Sequence, residues 1–481
     1  PHLPVTPQLV HVALVVAIVA SVTATLGFLT RTSALVFVLS AGYYLTVPQL
    51  FGKVIHYHVV VWVALVLVAA RSSDVLSLDA VVRAWRRPDQ HLQSPPAARR
   101  YSAPLRVIWL VMGGIYLLPG LYKYGSTGLE WASPHNMRGI MYGKWFELGG
   151  WHPFFDAAGP GPLLVLWGLG TMAFELTFIL LVLDHRTRRV AAGLGLVFHN
   201  MTWLVLRIPF LWLQVLYLSF VNWQWLADRA ALSRGLLTFR FDAQCRMCRR
   251  AVAVLNAVTL PGLVVYLAVD GGPDTVTARL HERSAEGFGA YRLLAWRVPV
   301  LWPALPVLYL RPVVRLGNRV YAAVSARRVC SVERLPEPAP VSVSSGHRAP
   351  ALVGATLLAG MLWAASVHAE TAWPMAIYPT FAGDHAWVRP VIEVVGVDPA
   401  GRRRRVDLRR LMPWVPPDRV RAQVDVISDQ DEPQRSRAVL AVVAGEPALR
   451  GWSHLRLVAS TVSDAPGHVG QVISSTVLAG S

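Results

Sequence analysis

Hydrophobic residues are gathered into long runs along this chain, and stretches rich in polar residues separate one run from the next. Eight runs approach or reach the ~20 mostly apolar residues that a helix needs to cross a bilayer. They lie at residues 9–29, 33–50, 58–70, 105–122, 163–183, 190–206, 208–227 and 351–367. The pattern predicts a polytopic α-helical membrane protein with about eight spans, and therefore the lipid bilayer as a partner.

The stretches outside these runs divide the chain further. Residues 1–227 form the predicted helical membrane unit. Residues 228–335 combine a strand-like run with helical periodicity and predict an inserted α/β domain, followed by a Pro- and Ser-rich linker at 336–349. A further span, 350–369, precedes residues 370–481, in which "VRPVIEVVGV" and "DPAGRRRRVDL" predict a strand, a turn and a second strand. "LRLVAST" and "GQVISSTVL" predict later strands, so we expect a small C-terminal β domain.

Basic residues outnumber acidic ones, 46 against 28, which gives a net charge of +18. The arginines are concentrated between the apolar runs, with seven of them from Arg71 to Arg106. Cytoplasmic loops of membrane proteins carry such an excess, so the charge indicates orientation and attraction to anionic lipid rather than nucleic-acid binding. This rule places residues 71–106 and 228–348 in the cytoplasm, and residues 123–162 and those after Glu370 outside.

Lysine is rare among these basic residues. Only three of the 46 are lysines, namely Lys53, Lys123 and Lys144. Lys123 follows an apolar run in "YLLPGLYKYGSTGLEW". Arginine stays charged at any ordinary pH, whereas a desolvated lysine can lose its proton. We therefore predict that Lys123 is kept for its proton; the alternative is that it survives by chance in an Arg-rich chain.

Several ionisable residues lie inside predicted spans, where they are costly and usually face an internal cavity. His56 and His58 open one span, Glu175 lies in "MAFELTF", and His199 lies in "LVFHNMTW". Together with Lys123 they predict a polar pocket within the helical bundle. For each histidine taken singly, the alternative is a neutral side chain that is hydrogen-bonded between helices.

The inserted domain carries Cys245 and Cys248 in "FRFDAQCRMCRRAVAVL", where a strand-like run turns into a helical pattern. The first thiol is expected at a helix N-terminus, where the helix dipole and Arg246, Arg249 and Arg250 favour the thiolate. The chain has three cysteines, and neither a second Cys pair nor paired histidines lie nearby to complete a structural zinc site. We therefore predict redox chemistry and no metal; the alternative is an inert pair of reduced thiols.

Several segments of the membrane unit resemble one known family. "SSDVLSLDAV", "GLYKYGSTGLEW" and "LDHRTRRVAAGLGLVFHNMTWLVLRIPFLWLQVL" are similar to the horizontally transferred transmembrane (HTTM) family, whose best-known relatives are the vitamin K-dependent γ-glutamyl carboxylases. The resemblance covers about residues 24–225. It implies a membrane enzyme that deprotonates a reduced quinone, menaquinone or vitamin K hydroquinone, for oxygen-dependent epoxidation and carboxylation by carbon dioxide.

The resemblance also implies roles for individual residues. Lys123 takes the place of the base, and His199 matches the histidine of a later span. Either His56 or His58 matches an earlier histidine, and the resemblance leaves the choice between them open. Glu175 takes the place of an acidic residue in the helix before His199.

Three neighbours of these residues, Asn200, Tyr122 and Trp131, are expected to line the same pocket. Tyr122 stands where the carboxylases often carry a second lysine. The large extracytoplasmic part of the carboxylases is shortened here to the residues after Glu370. A glutamyl-peptide substrate is therefore a weaker expectation than quinone chemistry.

The inserted domain resembles a second family. "FDAQCRMC" is similar to the Asp-Gly-x-Cys-x-x-Cys signature of the DCC thiol–disulfide oxidoreductases, a thioredoxin-like group, and the likeness extends over about residues 236–328. Asp242, Cys245 and Cys248 match the signature, while Ala243 replaces its glycine. A DCC domain behind an HTTM unit is a bacterial arrangement. It implies a multi-pass protein of the bacterial cytoplasmic membrane, with the DCC domain in the cytoplasm and the C-terminal domain outside.

Three functions stay open at this point. The first is an integral-membrane enzyme of quinone-linked, carboxylase-like chemistry with Lys123 as its base. The second is a membrane scaffold for the maturation or export of a secreted peptide. The third is a membrane-anchored thiol–disulfide oxidoreductase in which Cys245 is the reactive thiol.

Overall fold

The computed structural model of this chain describes most of the predicted spans and both soluble parts. It describes residues 4–47, 49, 57–95, 98–148, 155, 157, 159, 161–223, 225, 226, 228, 229, 235–269, 275–327, 348–369, 373–375, 381, 383, 385–407, 431, 433, 434, 437 and 449–480. His56, Lys53 and Cys330 lie outside the described residues, as does the predicted linker up to residue 347.

The N-terminal unit is helical. Its helices are α1 (Pro7–Thr25), α2 (Thr30–Thr46), α3 (His58–Ala69), α4 (Leu78–Arg86), α5 (Arg99–Thr127), α6 (Pro134–Glu147), α7 (Gly161–Leu183), α8 (Thr187–Leu206) and α9 (Leu211–Leu216). A 3-10 turn extends α5 through Gly128–Ala132, and another extends α9 through Tyr217–Phe220.

Five helices in the described part of the chain are long and apolar enough to cross a membrane. They are α1, α5 with its 3-10 extension, α7, α8 and the C-terminal helix Arg348–Ser366. The helices at Thr30–Thr46, His58–Ala69 and Leu211–Phe220 occupy the other predicted spans but have fewer residues. The prediction of a helical membrane protein is confirmed, and the number of eight spans stays a prediction.

Close contact between α5 and α7 builds the centre of the helical unit. A Cβ added to Gly113 would lie 2.7 Å from Ile179, and one added to Gly120 would lie 2.9 Å from the Cβ of Glu175. Small residues let two helix backbones approach within a membrane. Gly120 thereby brings Glu175 of α7 beside the last two turns of α5, the part of the helix that carries Lys123.

A carboxylate from the segment "SSDVLSLDAV" fixes the turn between α1 and α2. Asp79 accepts hydrogen bonds from the backbone N–H groups of Leu29 and Thr30 at 2.9 and 2.8 Å, which satisfies donors at the start of α2. Burial acts to raise the pKa of Asp79, but the hydrogen bonds from Thr30 and Leu29 outweigh it, so the pKa lies below its ordinary value. The motif is thus a structural anchor for the first helical pair.

The inserted domain is an α/β unit. It consists of β1 (Leu237–Asp242), α10 (Arg246–Ala257), β2 (Val264–Val269), β3 (Thr277–Leu280), β4 (Arg283–Glu286), α11 (Phe288–Ala295), α12 (Leu305–Leu308) and α13 (Arg311–Ala326). Its sheet has the order β2-β1-β3-β4. Strands β1 and β2 are parallel and joined through α10, whereas β3 is antiparallel to both of its neighbours.

The last span, α14 (Arg348–Ser366), packs against α5, where a Cβ added to Gly354 would lie 2.7 Å from Val107. After it comes an antiparallel sheet of the order β6-β5-β7-β8. Its strands are β5 (Val388–Val397), β6 (Arg403–Asp407), β7 (Ser453–Ser463) and β8 (Val472–Gly480). The predicted strands at the start and end of the C-terminal part are confirmed.

Candidate functional site

A cavity of about 110 Å³ lies between α5, α6, α7 and α8. Most of its wall is apolar or aromatic, including Ile115, Trp131, Met137, Trp167, Phe198 and Phe210. Its polar wall is small and comes from three helices, which contribute Lys123, Glu175 and His199 together with Tyr116, Thr171 and Thr202. An apolar pocket with a few converging polar groups is the usual form of a small-molecule site.

Lys123 and Glu175 form an ion pair in the wall of this cavity. Nζ of Lys123 donates to both carboxylate oxygens of Glu175, at 2.5 and 2.8 Å. The two residues are only 4% and 5% exposed. The ammonium group also lies 4.9 Å from the ring centre of Trp131, a cation–π distance. The pair is therefore desolvated, with one side of its surroundings filled by an aromatic ring.

His199 belongs to a chain of hydrogen bonds in the same wall. The hydroxyl of Tyr116 lies 2.5 Å from Nε2 of His199 and 2.6 Å from the hydroxyl of Tyr217. His199 is 1% exposed, and its Nδ1 has no partner among the residues that the structure describes. A buried polar atom without a partner is costly, so this nitrogen is a candidate for binding a ligand.

Tyr116 and Tyr217 were not among the residues predicted from the sequence. Tyr116 precedes Lys123 by seven residues, which is close to two helical turns and puts both on one face of α5. That spacing was a usable signal. Tyr217 lies in the 3-10 turn after α9, and a Cβ added to Gly195 would overlap its hydroxyl. Its place depends on how closely α8 approaches this turn, which no local pattern reveals.

Other predicted residues do not line the cavity. The exposed side chain of Asn200 donates to the carbonyl of Leu196 at 2.8 Å and lies 3.2 Å from Gln214. The ring of Tyr122 packs against His368 instead. These positions correct the expectation that Asn200 and Tyr122 line the pocket, because each adjoins a cavity residue and is rotated by about 100° from it on the helix.

One of the two early histidines, His58, does not join the cluster. His58 is buried at the start of α3, with its ring 4.4 Å from that of Trp62, and it does not line the cavity. His56 lies outside the described residues. Trp131 does line the cavity. The structure thus brings Lys123, Glu175, His199 and Trp131 together, and their catalytic roles stay predictions.

The cysteine pair has the local geometry that the sequence predicts. Cys245 is the N-cap of α10, and its sulfur accepts a hydrogen bond from the backbone N–H of Cys248 at 3.3 Å. Asp242 accepts from the N–H of Gln244 at 2.9 Å, which holds the turn before the helix. Both cysteines are buried, so neither sulfur is accessible in this conformation.

The arginines around this pair are partly engaged elsewhere. Nε of Arg249 lies 3.2 Å from Asp89, and the guanidinium of Arg250 lies 5.2 Å from the ring centre of Trp85. Both partners belong to the segment that connects α3 and α5. The backbone N–H of Cys248 and the positive end of the helix dipole both favour a Cys245 thiolate.

A second buried cluster joins α6 to the C-terminal sheet. Asp464 lies 2.9 Å from both Nε2 of His385 and Nε of Arg389, and the backbone N–H of His385 donates to Asn136 of α6 at 3.1 Å. Burial acts to raise the pKa of Asp464, but the hydrogen bonds and charges of His385 and Arg389 outweigh it and lower the pKa. Arg389 also lies 4.0 Å from Glu147 at the end of α6.

The described residues contain no group of three or more His, Cys, Asp or Glu side chains that could hold a metal ion. The wall of the cavity contains the ion pair of Lys123 and Glu175 and the imidazole of His199. The ion pair can hold a proton between nitrogen and carboxylate, and His199 can offer Nδ1 to a polar group of a ligand.

Apolar helices around a cavity with a buried ion pair define a polytopic membrane protein with an internal site. Comparison with known families agrees: the family model described as the HTTM domain matches residues 2–225. The match covers somewhat less than half of the chain and shows that the helical unit is similar to the HTTM family. No curated protein and no solved structure shows a significant match to the chain.

Proposed function

We propose that the helical unit is a membrane enzyme of the vitamin K-dependent carboxylase type, in which Lys123 and Glu175 take a proton from a reduced quinone. The observation that carries this proposal is the buried ion pair in the wall of an apolar cavity. Replacing a buried ion pair by apolar side chains often costs no stability. A buried ion pair that borders a cavity is therefore better explained by function than by folding.

The residues of the cavity suit a quinone. The rings of Trp131, Trp167 and Phe198 offer apolar surface to a flat head group, and Nδ1 of His199 offers a hydrogen-bonding atom to one of its oxygens. When bound, a reduced quinone supplies electrons to molecular oxygen and the basicity that removes a carbon-bound proton, which carbon dioxide replaces in the carboxylases.

Lys123 and Glu175 act as one unit in this proposal. The ammonium–carboxylate pair carries no net charge. If the shared proton moves from Nζ to the carboxylate of Glu175, the amine becomes the base; if the carboxylate itself takes the ligand's proton, the ammonium stays beside a neutral acid. Lysine permits both routes, whereas a guanidinium keeps its proton and permits only the second.

His199 has a supporting task. Tyr116 bridges Nε2 of His199 to Tyr217, so the orientation of the imidazole ring is fixed by a hydrogen bond on the side away from its unpartnered nitrogen. This arrangement orients a ligand oxygen at Nδ1 and can pass a proton along the tyrosine chain. A Tyr116→Phe variant is expected to keep the ion pair and to weaken ligand binding.

The test is quinone epoxide formation by the purified full-length protein with chemically reduced menaquinone or vitamin K and oxygen. We expect epoxide from the wild type and from Lys144→Arg, since Lys144 pairs with Glu147 outside the cavity. Lys123→Arg is expected to abolish the reaction if the amine is the base, and Glu175→Gln if the carboxylate is. Absence of epoxide from the wild type with either quinone would overturn the proposal.

For the inserted domain we propose thioredoxin-like thiol–disulfide exchange of the DCC type. The supporting observation is the position of Cys245 at the N-terminus of α10, directly after the central strand of a β2-β1-β3-β4 sheet. A helix N-terminus lowers the pKa of a thiol and increases its reactivity. Because both sulfurs are buried, exchange requires the segments around them to open.

This second proposal is tested by redox titration of the full-length protein in membranes, with alkylation of thiols read by mass spectrometry. We expect a two-electron transition of Cys245 and Cys248 that Cys245→Ser abolishes and Cys330→Ser leaves unchanged. Full alkylation of both thiols at every potential would contradict it.

We further propose that the protein lies in the bacterial cytoplasmic membrane, with the α/β domain in the cytoplasm and the C-terminal sheet outside. The arginine-rich segments on either side of the spans support this orientation. In this orientation the cysteine pair faces the cytoplasm. Protease protection in sealed right-side-out vesicles would show the C-terminal sheet cleaved and the α/β domain intact; the reverse pattern would contradict the orientation.

A further inference from the structure

The α/β domain exposes an unusual amount of apolar surface at its C-terminal end. Between residues 296 and 320, seven large apolar side chains are at least half exposed: Trp296, Val300, Trp302, Val307, Leu310, Leu316 and Val320. We call these seven the apolar patch. They lie in and around the 3-10 turn Pro299–Ala304, α12 and α13, and none of these three elements contains a buried residue. Soluble surfaces rarely gather so many exposed large apolar side chains, which usually mark an interaction site.

The charge of the same segment points to the kind of partner. Residues 288–327 contain six arginines and no acidic residue. Arg311, Arg315 and Arg319 recur every four residues and form one stripe along α13. Leu316 follows Arg315 by one residue and therefore lies about 100° around the helix from it. A helix with an apolar side flanked by arginines is typical of helices that lie in the plane of a membrane with anionic lipid.

Aromatic side chains in the patch are held at its surface. The indole N–H of Trp296 donates to the hydroxyl of Tyr309 at 2.8 Å, and the guanidinium of Arg292 lies 4.4 Å from the ring centre of Tyr309. The indole N–H of Trp302 donates to the carbonyl of Trp296 at 3.3 Å. Tryptophan and tyrosine are enriched at the boundary between lipid and water, where one end of the side chain is apolar and the other polar.

The domain is also held close to the start of α5, a candidate membrane span. Ser94 donates to Oδ1 of Asn256 in α10 at 3.0 Å, and Asn256 donates to the carbonyl of His91 at 3.0 Å. Ser94 precedes the first residue of α5, Arg99, by five residues, so at full extension the chain between them spans at most about 18 Å. Ala80 and Ala84 of α4 pack against Ala253 and Ala257 of α10 in the same contact.

We propose that the apolar patch and the arginine stripe of α13 dock the α/β domain onto the surface of the bilayer that its neighbouring helices cross, with anionic phospholipid as the partner. The patch supplies apolar surface to the boundary between head groups and acyl chains. The arginines bind the phosphate groups of the lipids. The proposal depends neither on the quinone chemistry nor on the thiol exchange proposed above.

The test uses the full-length protein in lipid nanodiscs, with the photoreactive amino acid p-benzoylphenylalanine placed at Leu316. The matched control places it at Glu282, which is exposed in the turn between β3 and β4 of the same domain. In discs that contain phosphatidylglycerol we expect a phospholipid adduct at residue 316 and none at 282, read by mass spectrometry. Reaction of residue 316 with a second copy of the chain, or with no lipid, would overturn the proposal, as would equal labelling of both positions.

A second comparison tests the charge. Replacing Arg311, Arg315 and Arg319 by glutamine is expected to lower the adduct yield at residue 316 severalfold in phosphatidylglycerol discs. It should change the yield little in discs of phosphatidylcholine alone, which lack net negative charge. An unchanged yield in both kinds of disc would overturn the role of the arginine stripe.

Discussion

Two buried ionic clusters lie near different faces of α6, and their surroundings differ. Lys123 and Glu175 face the cavity whose wall α6 completes with Met137, Ile140 and Met141. The cluster of His385, Arg389 and Asp464 contacts the other side of the helix, where Gly139 and Gly143 leave room for it. Both clusters exclude water from their charges, and only the first borders a cavity beside an unpartnered nitrogen of His199.

This difference shows that burial of charge does not by itself identify a reactive site. The second cluster joins two segments distant in sequence, and its hydrogen bonds hold the C-terminal sheet against the helical unit. The first cluster joins α5 to α7, which the apolar contacts around Gly113 and Gly120 already hold together. We therefore expect that packing does not depend on its charges, which is what the proposed chemistry requires.

The largest expected effect is that of separating the ion pair. Lys123→Met leaves the carboxylate of Glu175 buried without its partner, and we expect the free energy of unfolding to fall by about 3–5 kcal/mol. The double variant Lys123→Met/Glu175→Met should recover most of this loss, because no unpaired charge remains. Denaturant unfolding in mixed micelles measures both. Equal losses in the single and double variants would mean that the pair itself stabilises the bundle.

The second cluster is tested by Asp464→Asn. This change removes the charge shared by His385 and Arg389, and we expect a loss of about 1.5–3 kcal/mol, the range for hydrogen bonds to charged groups. The control is Asp398→Asn, whose partners Arg402 and Arg404 are exposed; there we expect a clearly smaller loss. Losses of similar size in both variants would mean that Asp464 contributes no more stability than Asp398 does with its exposed partners.

The contact of α6 with the second cluster is tested by adding a methyl group. A Cβ at Gly139 would lie 2.5 Å from the Cβ of His385, so Gly139→Ala should cost about 1–3 kcal/mol through overpacking. Gly125 of α5 has no atom within 4 Å of an added Cβ, and Gly125→Ala should be neutral or slightly stabilising. Thermal unfolding measures the stability of both variants. A Gly139→Ala variant as stable as the wild type would contradict the close contact between α6 and His385.

The smallest expected effect concerns pH. The pKa of Asp464 is lower in the folded chain than in the unfolded one, where an aspartate titrates near about 4. The stability it contributes is therefore complete above that value and is lost as the pH falls through the lowered folded pKa. Between pH 5 and pH 3, the wild type should lose more stability than Asp464→Asn. Parallel losses would show that other groups dominate acid unfolding.

Local patterns were sufficient for some parts of this protein and insufficient for others. The ionisable residues Lys123, Glu175 and His199 stand out in apolar runs, and the structure places all three around one cavity. The prediction that Asn200 and Tyr122 line the pocket was wrong, because the side chains of adjacent residues on a helix point in different directions. His385 and Asp464 were missed because they lie 79 residues apart and meet only through the pairing of β5 with β7.

The sequence by itself determined which segments are helices of spanning character, which are strands, and where a thiol pair caps a helix. These features depend on hydrophobicity, periodicity and neighbouring residues, all of which are local. Only the tertiary structure decided that Tyr116 and Tyr217 complete the hydrogen bonds of His199. It also decided that α6 lies between the cavity and the cluster of His385, Arg389 and Asp464. A cavity is the space that several helices leave between them, so its walls depend on contacts between residues distant in the chain.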